Sequence, residues 1–431
     1  MAGKPKKEQL AEADVRGAKY LKRVLALLGR LRDDATARDR AGNRTLFFDQ
    51  YAALLLFAMF SPAVDSLRAV GQASALPKVR KLLGCPPGPG GRGYSLGSLS
   101  EAARVFDPDL LRGVIAELGK DLKPLATDPR LADVRGALTL VDGTLLKALP
   151  RLAASAWKTS RTGNPMHGWR MHCRLDLSLG TPAGVDVTDY RNSGDADERA
   201  VLRANLAAGR CYVMDRGYFA YALFDAIVAA ASDYVCRVKQ HLAFAVTQER
   251  PVTPAAKEAG VVRDAVVTAG DGRRAGRRAG HPVRLVWVEV DVAPRAARGG
   301  GSGKPQGPPR RETLILATNQ LDLPAELVAV VYRHRWAVEL FFRFFKQTLG
   351  CRHLFSDDPG GVAIQCYCAV IACMLLALWT GRKADRATWR MLGWFMAGLA
   401  DEADVLAHVS RPDNRGVKLR AKEELWKKLG Y

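Results

Sequence analysis

The chain has 431 residues, 48% of them hydrophobic, enough to bury a sizeable core shared among two or three domains. Sixty-five Lys and Arg against 44 Asp and Glu give a formal charge of +21. An excess this large favours a polyanionic partner, because neutralising phosphates releases counterions, although charge alone does not separate DNA from RNA or an anionic membrane surface. Eight cysteines without a Cys-x-x-Cys pair, and a Lys-rich start without an apolar stretch, speak against a zinc ribbon and a secretory signal; a reducing, cytoplasmic setting is expected.

Residues 1–130 are expected to be helical. Glu8 to Arg32 is amphipathic and basic, Phe47 to Phe60 is strongly apolar, and Ser66 to Leu83 carries mixed charge. Pro86-Pro-Gly-Pro-Gly-Gly interrupts this pattern, and Ser98-Leu-Ser-Glu101 has the form of a capping box opening the next helix. The basic excess is spread along the chain: Lys4 to Lys7, Arg273 to Arg278, the linker near Arg310 and the tail from Arg411 to Lys428.

Residues 136–240 alternate strand and helix. Leu138-Thr-Leu-Val-Asp142-Gly143-Thr144 is a short apolar run ending in Asp, followed by a Gly-Thr turn, which predicts a buried strand tip. Trp169 to Ser178 and Gly184 to Tyr190 predict a hairpin around Thr181-Pro-Ala-Gly. A helix over Asp197 to Ala208 follows, then Arg210-Cys-Tyr-Val-Met-Asp215-Arg216-Gly217-Tyr218, a second β-rich run with an Asp at its end. Phe219 to Ala231 predicts a helix and Asp233 to Lys239 a strand. Asp186, Asp189, Asp195 and Glu198 are expected at the surface or as caps, and His167 and His172 as structural residues.

Residues 241–311 predict a β-rich insertion, with Val261 to Val267 and Val283 to Val292 as strands and Pro294 to Pro309 as a mobile basic loop. Glu312 to Ala317 returns to strand. Pro324 to Gly350 then predicts one helix carrying Tyr332, Arg335, Glu339 and Lys346 at relative positions 0, +3, +7 and +14. At about 100° per residue these share a stripe roughly 60° wide, with Val338, Phe341, Phe344 and Phe345 on the flanks and back. Val362 to Trp379 is apolar enough to raise the question of a membrane span, but Gln365, Tyr367 and the missing anchor pattern predict a buried core helix. Cys366, Cys368 and Cys373 sit among Ile364, Val370, Ile371 and Leu375, as buried thiols do. The last segment, 381–431, is expected to be helical and basic.

The Tyr-(2)-Arg-(3)-Glu-(6)-Lys spacing resembles the signature of bacterial insertion-sequence transposases of the Asp-Asp-Glu class, of the insertion sequence four type. Asp142-Gly-Thr and Asp215-Arg-Gly-Tyr resemble the motifs that follow that family's first and fourth strands, and the resemblance covers roughly residues 45 to 380. It implies an α/β fold: a ribonuclease-H-like core in two parts, 136–240 and 312–380, interrupted by the insertion 241–311. A helical N-terminal DNA-binding region would recognise the element's terminal repeats. It implies Asp142, Asp215 and Glu339 as catalytic and metal-binding residues, and Tyr332, Arg335 and Lys346 as DNA-binding residues; Arg343 lies close enough on the wheel to join them.

Such chemistry needs an activated attacking oxygen, a stabilised leaving oxygen and neutralised charge on phosphorus. Two Mg2+ ions, for which Mn2+ would substitute, supply these, and hard cations take carboxylate oxygens. On this reading Asp142 bridges both ions, and Asp215 and Glu339 each hold one. The expected activity is metal-dependent excision and strand transfer on double-stranded DNA, by a homodimer in the synaptic complex, in the bacterial cytoplasm. A nuclease or resolvase on the same core would not need the Tyr-Arg-Lys companions. A non-catalytic DNA-binding repressor would not need an intact triad, and no aromatic pattern of an RNA-binding sheet is present. The one Trp between Asp215 and Trp336 is Trp287, within an apolar strand and expected to be buried; Glu312 to Ala317 has no aromatic, which argues against excision through a DNA hairpin held by a stacked base.

Overall fold

The structure, a computed structural model, describes residues 19–34, 42–61, 63–85, 91–125, 128–147, 158–159, 165–166, 168–190, 192–271, 278–292, 310–347, 349 and 354–411. The basic segments 4–7 and 273–277, the stretch 86–90, the loop 294–309, His167 and the tail beyond Arg411 lie outside the described residues.

One nine-stranded sheet runs through the protein. Its strands are β1 (Ala137–Lys147), β4 (Gly168–Asp176), β5 (Thr181–Asp189), β6 (Arg210–Met214), β7 (Asp233–Val238), β8 (Phe244–Arg250), β9 (Val261–Ala269), β10 (Val283–Val292) and β11 (Arg310–Thr318), in the spatial order β5-β4-β1-β6-β7-β11-β10-β9-β8. A separate two-residue ribbon joins β2 (Lys158–Thr159) to β3 (Pro165–Met166). β1, β6 and β7 are parallel; every other pairing in the sheet is antiparallel. The strands after residue 240 therefore add to the edge of β7 instead of forming a sheet of their own. β8 has no counterpart in the sequence reading, because its alternation of exposed residues carries little apolar signal.

Along the strands, neighbouring residues point to opposite cores, as a period of two requires. Leu140, Val213 and Val235 pack on one side, and Val141, Tyr212, Met214 and Tyr234 on the other. The second side is covered by α8 (Glu198–Ala204) and α9 (Tyr221–Ala229), whose Leu202, Leu223, Phe224 and Ile227 fill it. The first side is larger. It takes in the N-terminal helices α1 (Lys19–Gly29), α2 (Leu31–Asp34), α3 (Phe48–Phe60), α4 (Leu67–Ser74), α5 (Pro77–Leu83), α6 (Leu96–Val105) and α7 (Leu110–Asp121), and the later helices described below.

α10 (Pro254–Glu258) is short. α11 (Ala325–His334) and α12 (Trp336–Gln347) precede α13 (Pro359–Thr380), α14 (Arg386–Met396) and α15 (Glu402–Ser410). α13 is long and apolar enough to cross a membrane, yet 94% of its most apolar window is buried inside the protein. It packs against α1, α3, α6, α7 and β5, so the N-terminal and C-terminal parts share one core. Arg112 of α7 fastens this union. It pairs with Asp186 on β5 at 2.7 Å and lies over the Tyr367 ring of α13 at 5.2 Å. The described cysteines are free and buried.

Three local expectations are corrected. α6 begins at Leu96, capped by the Ser95 hydroxyl accepting from the Ser98 amide at 3.0 Å, so Ser98 lies inside the first turn and caps nothing. The hairpin turns at 177–180, where Gly180 has φ +65°, and Thr181-Pro-Ala-Gly is edge strand, where a Pro costs no ladder bond. The predicted single helix over 324–350 is broken at Arg335 into α11 and α12.

Candidate active site

The register between β1 and β6 brings the two aspartate motifs together. Their parallel pairing runs from Ala137–Arg210 to Val141–Met214 and stops there, which leaves Asp142 and Asp215 next to each other as the first residues beyond it. Asp142 is not a strand tip; β1 continues to Lys147, held by β4 with Asp142 opposite Cys173. Alternation turns Asp142 to the side of Leu140, away from Val141, and therefore toward the face on which α12 packs. Asp142 accepts from the Gly143 amide at 2.8 Å. Asp215 caps a 3-10 turn over Arg216–Tyr218, accepting from the Gly217 amide at 2.7 Å.

Arg335 stands at the junction of α11 and α12 with helical dihedrals, but its backbone bonds span three residues: its amide to Tyr332 O at 3.1 Å and Val338 N to its own carbonyl at 3.2 Å. The helix is overwound there, and one continuous wheel does not describe both halves. The local tightening carries Arg335 inward. Its guanidinium donates to Glu339 at 2.5 Å and stands 3.5 Å from Asp142, so one cation spans two of the three predicted acids.

Tyr332 lies half-buried on α11. Burial pushes its hydroxyl up to about 12, against the opposing pull of Arg335 and Arg237 and with a smaller push from Asp215. Lys346 is half-buried and Arg343 exposed on α12. A cavity of about 210 Å³ opens beside this group, lined by Val288, Leu314, Leu316, Tyr332, Arg335 and Trp336. Trp336, one of its lining residues, is 51% exposed.

The field at Asp142 is unbalanced. Burial raises its carboxyl to about 6 in spite of the Gly143 amide and Arg335, with Asp215 and Glu339 adding to the rise. A centre of mutually repelling carboxylates with only oxygen donors fits a hard divalent cation, and the guanidinium between Asp142 and Glu339 marks where positive charge is needed. Among the described residues, however, no three acidic, histidine or cysteine side chains stand close enough to hold one ion.

One neighbour of the site was not read from the sequence: Glu198, expected as a surface or capping residue, is turned inward between the two aspartate motifs. His172 is buried, with its Nε2 2.8 Å from the Thr188 hydroxyl, and burial, then Arg170, lowers it to about 4; that is a structural histidine. Trp287, expected to be buried, is only partly so, because its ring faces the Arg263 guanidinium at 4.6 Å. Arg284, 1% exposed, grips Asp264 with two bonds of 2.8 and 2.7 Å and also donates to the carbonyls of Leu321 and Leu323. This anchors β9 and β10 to the turn that launches α11.

The family described as Transposase DDE domain matches residues 135–375, more than half of the chain, and the protein belongs to that family. Among its relatives, a protein of Sinorhizobium fredii (strain NBRC 101917 / NGR234) named as a transposase, y4zB, is 27% identical over 266 residues, 60% of this chain and 64% of the relative. A protein of Geobacillus stearothermophilus named as a transposase for insertion sequence element IS5377 is 26% identical over 217 residues, 49% of this chain and 50% of the relative. The chain thus spans about half to two thirds of the length of these relatives. A cryo-EM structure of the piggyBac transposase synaptic complex with hairpin DNA is similar at 10% identity and a TM-score of 0.41, over 98% of this chain and 87% of that one, too distant to define a shared fold.

Proposed function

We propose that this protein is a DNA transposase of the Asp-Asp-Glu class, of the insertion sequence four type, that excises and reinserts its own insertion sequence by cut and paste. One observation carries the reading: the β1–β6 register sets Asp142 beside Asp215, and Arg335 ties Glu339 to the same centre. The strand order supports it. β5, β4, β1, β6 and β7 follow the third-second-first-fourth-fifth arrangement of a ribonuclease-H-like core, with β4 antiparallel to β1. The core is then 136–240 with 312–380, the segment 241–311 is an insertion that lengthens its sheet, 1–130 serves DNA recognition, and 381–431 is a basic C-terminal region. The setting is the bacterial cytoplasm.

Asp142, Asp215 and Glu339 would hold Mg2+ or Mn2+, two ions per site. When bound, these supply the activated attacking oxygen and the stabilised leaving oxygen of phosphodiester exchange. The chain's own residues prepare the place. The amides of Gly143 and Gly217 fix one oxygen each of Asp142 and Asp215 and leave the other for a cation. Arg335, once released from the carboxylates, is free to grip a phosphate, with Tyr332 beside it and Lys346 further along α12. The exposed Trp336, which lines this cavity, offers a stacking face to an unpaired base. Synapsis of two ends calls for a homodimer on the DNA, one site for each end.

The test is incubation of the full chain with Mg2+, or with Mn2+, and a plasmid carrying its element's ends. Cleavage at the ends should occur, and Asp142→Asn, Asp215→Asn or Glu339→Gln should each abolish it while end binding persists. Cleavage that survives all three changes would refute the assignment. Binding without cleavage in both metals would instead favour a repressor.

A further inference from the structure

The two glycines of the aspartate motifs border the same carboxylate. A Cβ built on Gly143 would stand 2.6 Å from Glu198 Oε1, and one on Gly217 would stand 3.8 Å from Glu198 Oε2 and 3.0 Å from Asp215 Oδ1. Glu198 therefore lies between the glycine that follows Asp142 and the glycine two residues past Asp215. It opens α8, its amide donates to Asn192 Oδ1 at 3.0 Å, and Asn192 holds a left-handed φ of +54° to present that oxygen. Its side chain is 17% exposed and forms an ion pair with Arg170 of β4, itself 17% exposed.

A surface cap would have no reason to be buried against two glycines. A second observation points inward as well. Tyr218 is 1% exposed, its hydroxyl has no hydrogen-bond partner among the described residues, and the acids that act on it are Glu198, Asp142 and Asp215. The Nε of Arg170 is likewise buried and unpartnered there. Buried polar groups left open in this way need a ligand that supplies donors and acceptors, as a hydrated cation does.

We propose that Glu198 is a fourth functional carboxylate of the acidic centre, an oxygen donor, directly or through one bound water, to a divalent cation held at Asp142 and Asp215. The inference rests on the triad reading above. Arg170 is its positioning residue: it holds Glu198 over Gly143 until a cation arrives, as Arg335 holds Glu339. Gly143 is then required by the site as much as by the strand, since any Cβ there would expel the carboxylate.

The test reads metal binding in the absence of DNA. Full-length protein is titrated with Mn2+ and the free ion is followed by electron paramagnetic resonance. Glu198→Gln should weaken binding about tenfold, the scale of outer-shell effects at metal sites, with unchanged near-UV circular dichroism, and Glu198→Asp should recover part of the loss. Wild-type binding in Glu198→Gln beside weakened binding in Asp142→Asn would overturn this proposal alone. Binding that survives Asp142→Asn would overturn the triad reading, whatever Glu198→Gln does. Wild-type protein loaded with Fe2+ and treated with ascorbate and peroxide should be cut beside 198 as well as beside 142 and 215; cuts at the latter two without the first would also overturn the role of Glu198, and no variant is needed to see it.

Discussion

Two arginines in this protein each face aspartate, and they do so in opposite ways. Arg284 is sealed in the sheet: both branches of Asp264 meet it, two carbonyls take its remaining direction, and it is 1% exposed. Arg335 spans two acids with one contact to each, and those acids keep 21% and 32% of their side chains open to water. The first arrangement saturates every charge and can do nothing further. The second leaves Asp142 with a carboxyl raised to about 6 and lone pairs to spare, which suits a place that must exchange partners. Satisfied pairs build structure, and unsatisfied ones mark chemistry.

The contrast can be tested on stability first. Arg284→Ala should cost about 3–5 kcal/mol, because it strands a buried Asp264, whereas Arg335→Ala should cost about 1–2 kcal/mol, since its partners can hydrate or protonate. Urea unfolding monitored by tryptophan fluorescence measures both, and equal costs would erase the distinction.

A smaller effect follows from Asp142. Its folded-state value of about 6 lies above the ordinary carboxylate value of 3.8, so the charged form is disfavoured in the native state. The penalty is fully present above about pH 6 and is relieved as pH falls toward 4. Metal-free Asp142→Asn should therefore exceed the parent protein in stability by about 2–3 kcal/mol at pH 7.5, with the difference gone by pH 4. Thermal melts across that range would show it; a pH-independent difference would mean that Asp142 is already neutralised by Arg335. Smallest of all, Lys346→Ala should weaken binding to end DNA a few-fold and reduce the slope of log affinity against log salt by about one. An unchanged slope would place Lys346 away from the backbone.

Much of this was legible in one dimension. β10 runs over Val283–Val292 as its apolar run predicts, and α3, β7 and α13 lie within a few residues of their expected bounds, because long apolar runs have few alternative fates. The order of Asp142, Asp215 and the Tyr-Arg-Glu-Lys series was readable too, since motif spacing is a property of the chain. The break at Arg335 was not. It depends on an i+3 backbone pattern that no side-chain periodicity announces. Glu198 was misread for a related reason: a Glu after Asp197 at a helix start has a local explanation as a cap, and nothing in the chain reveals that Gly143, 55 positions earlier, lies against it.

By itself, then, the sequence determined most of the strand and helix segments, which acids end apolar runs, and the large positive charge, all of which are local or additive. Only the tertiary structure decided that β1 and β6 are neighbours in a register that sets Asp142 beside Asp215. It alone showed that the strands after 240 extend the same sheet, and that Arg335 pairs with Glu339 and Arg170 with Glu198. Pairing partners and register are long-range choices, set by how all the apolar faces are buried together, and no single segment carries that information.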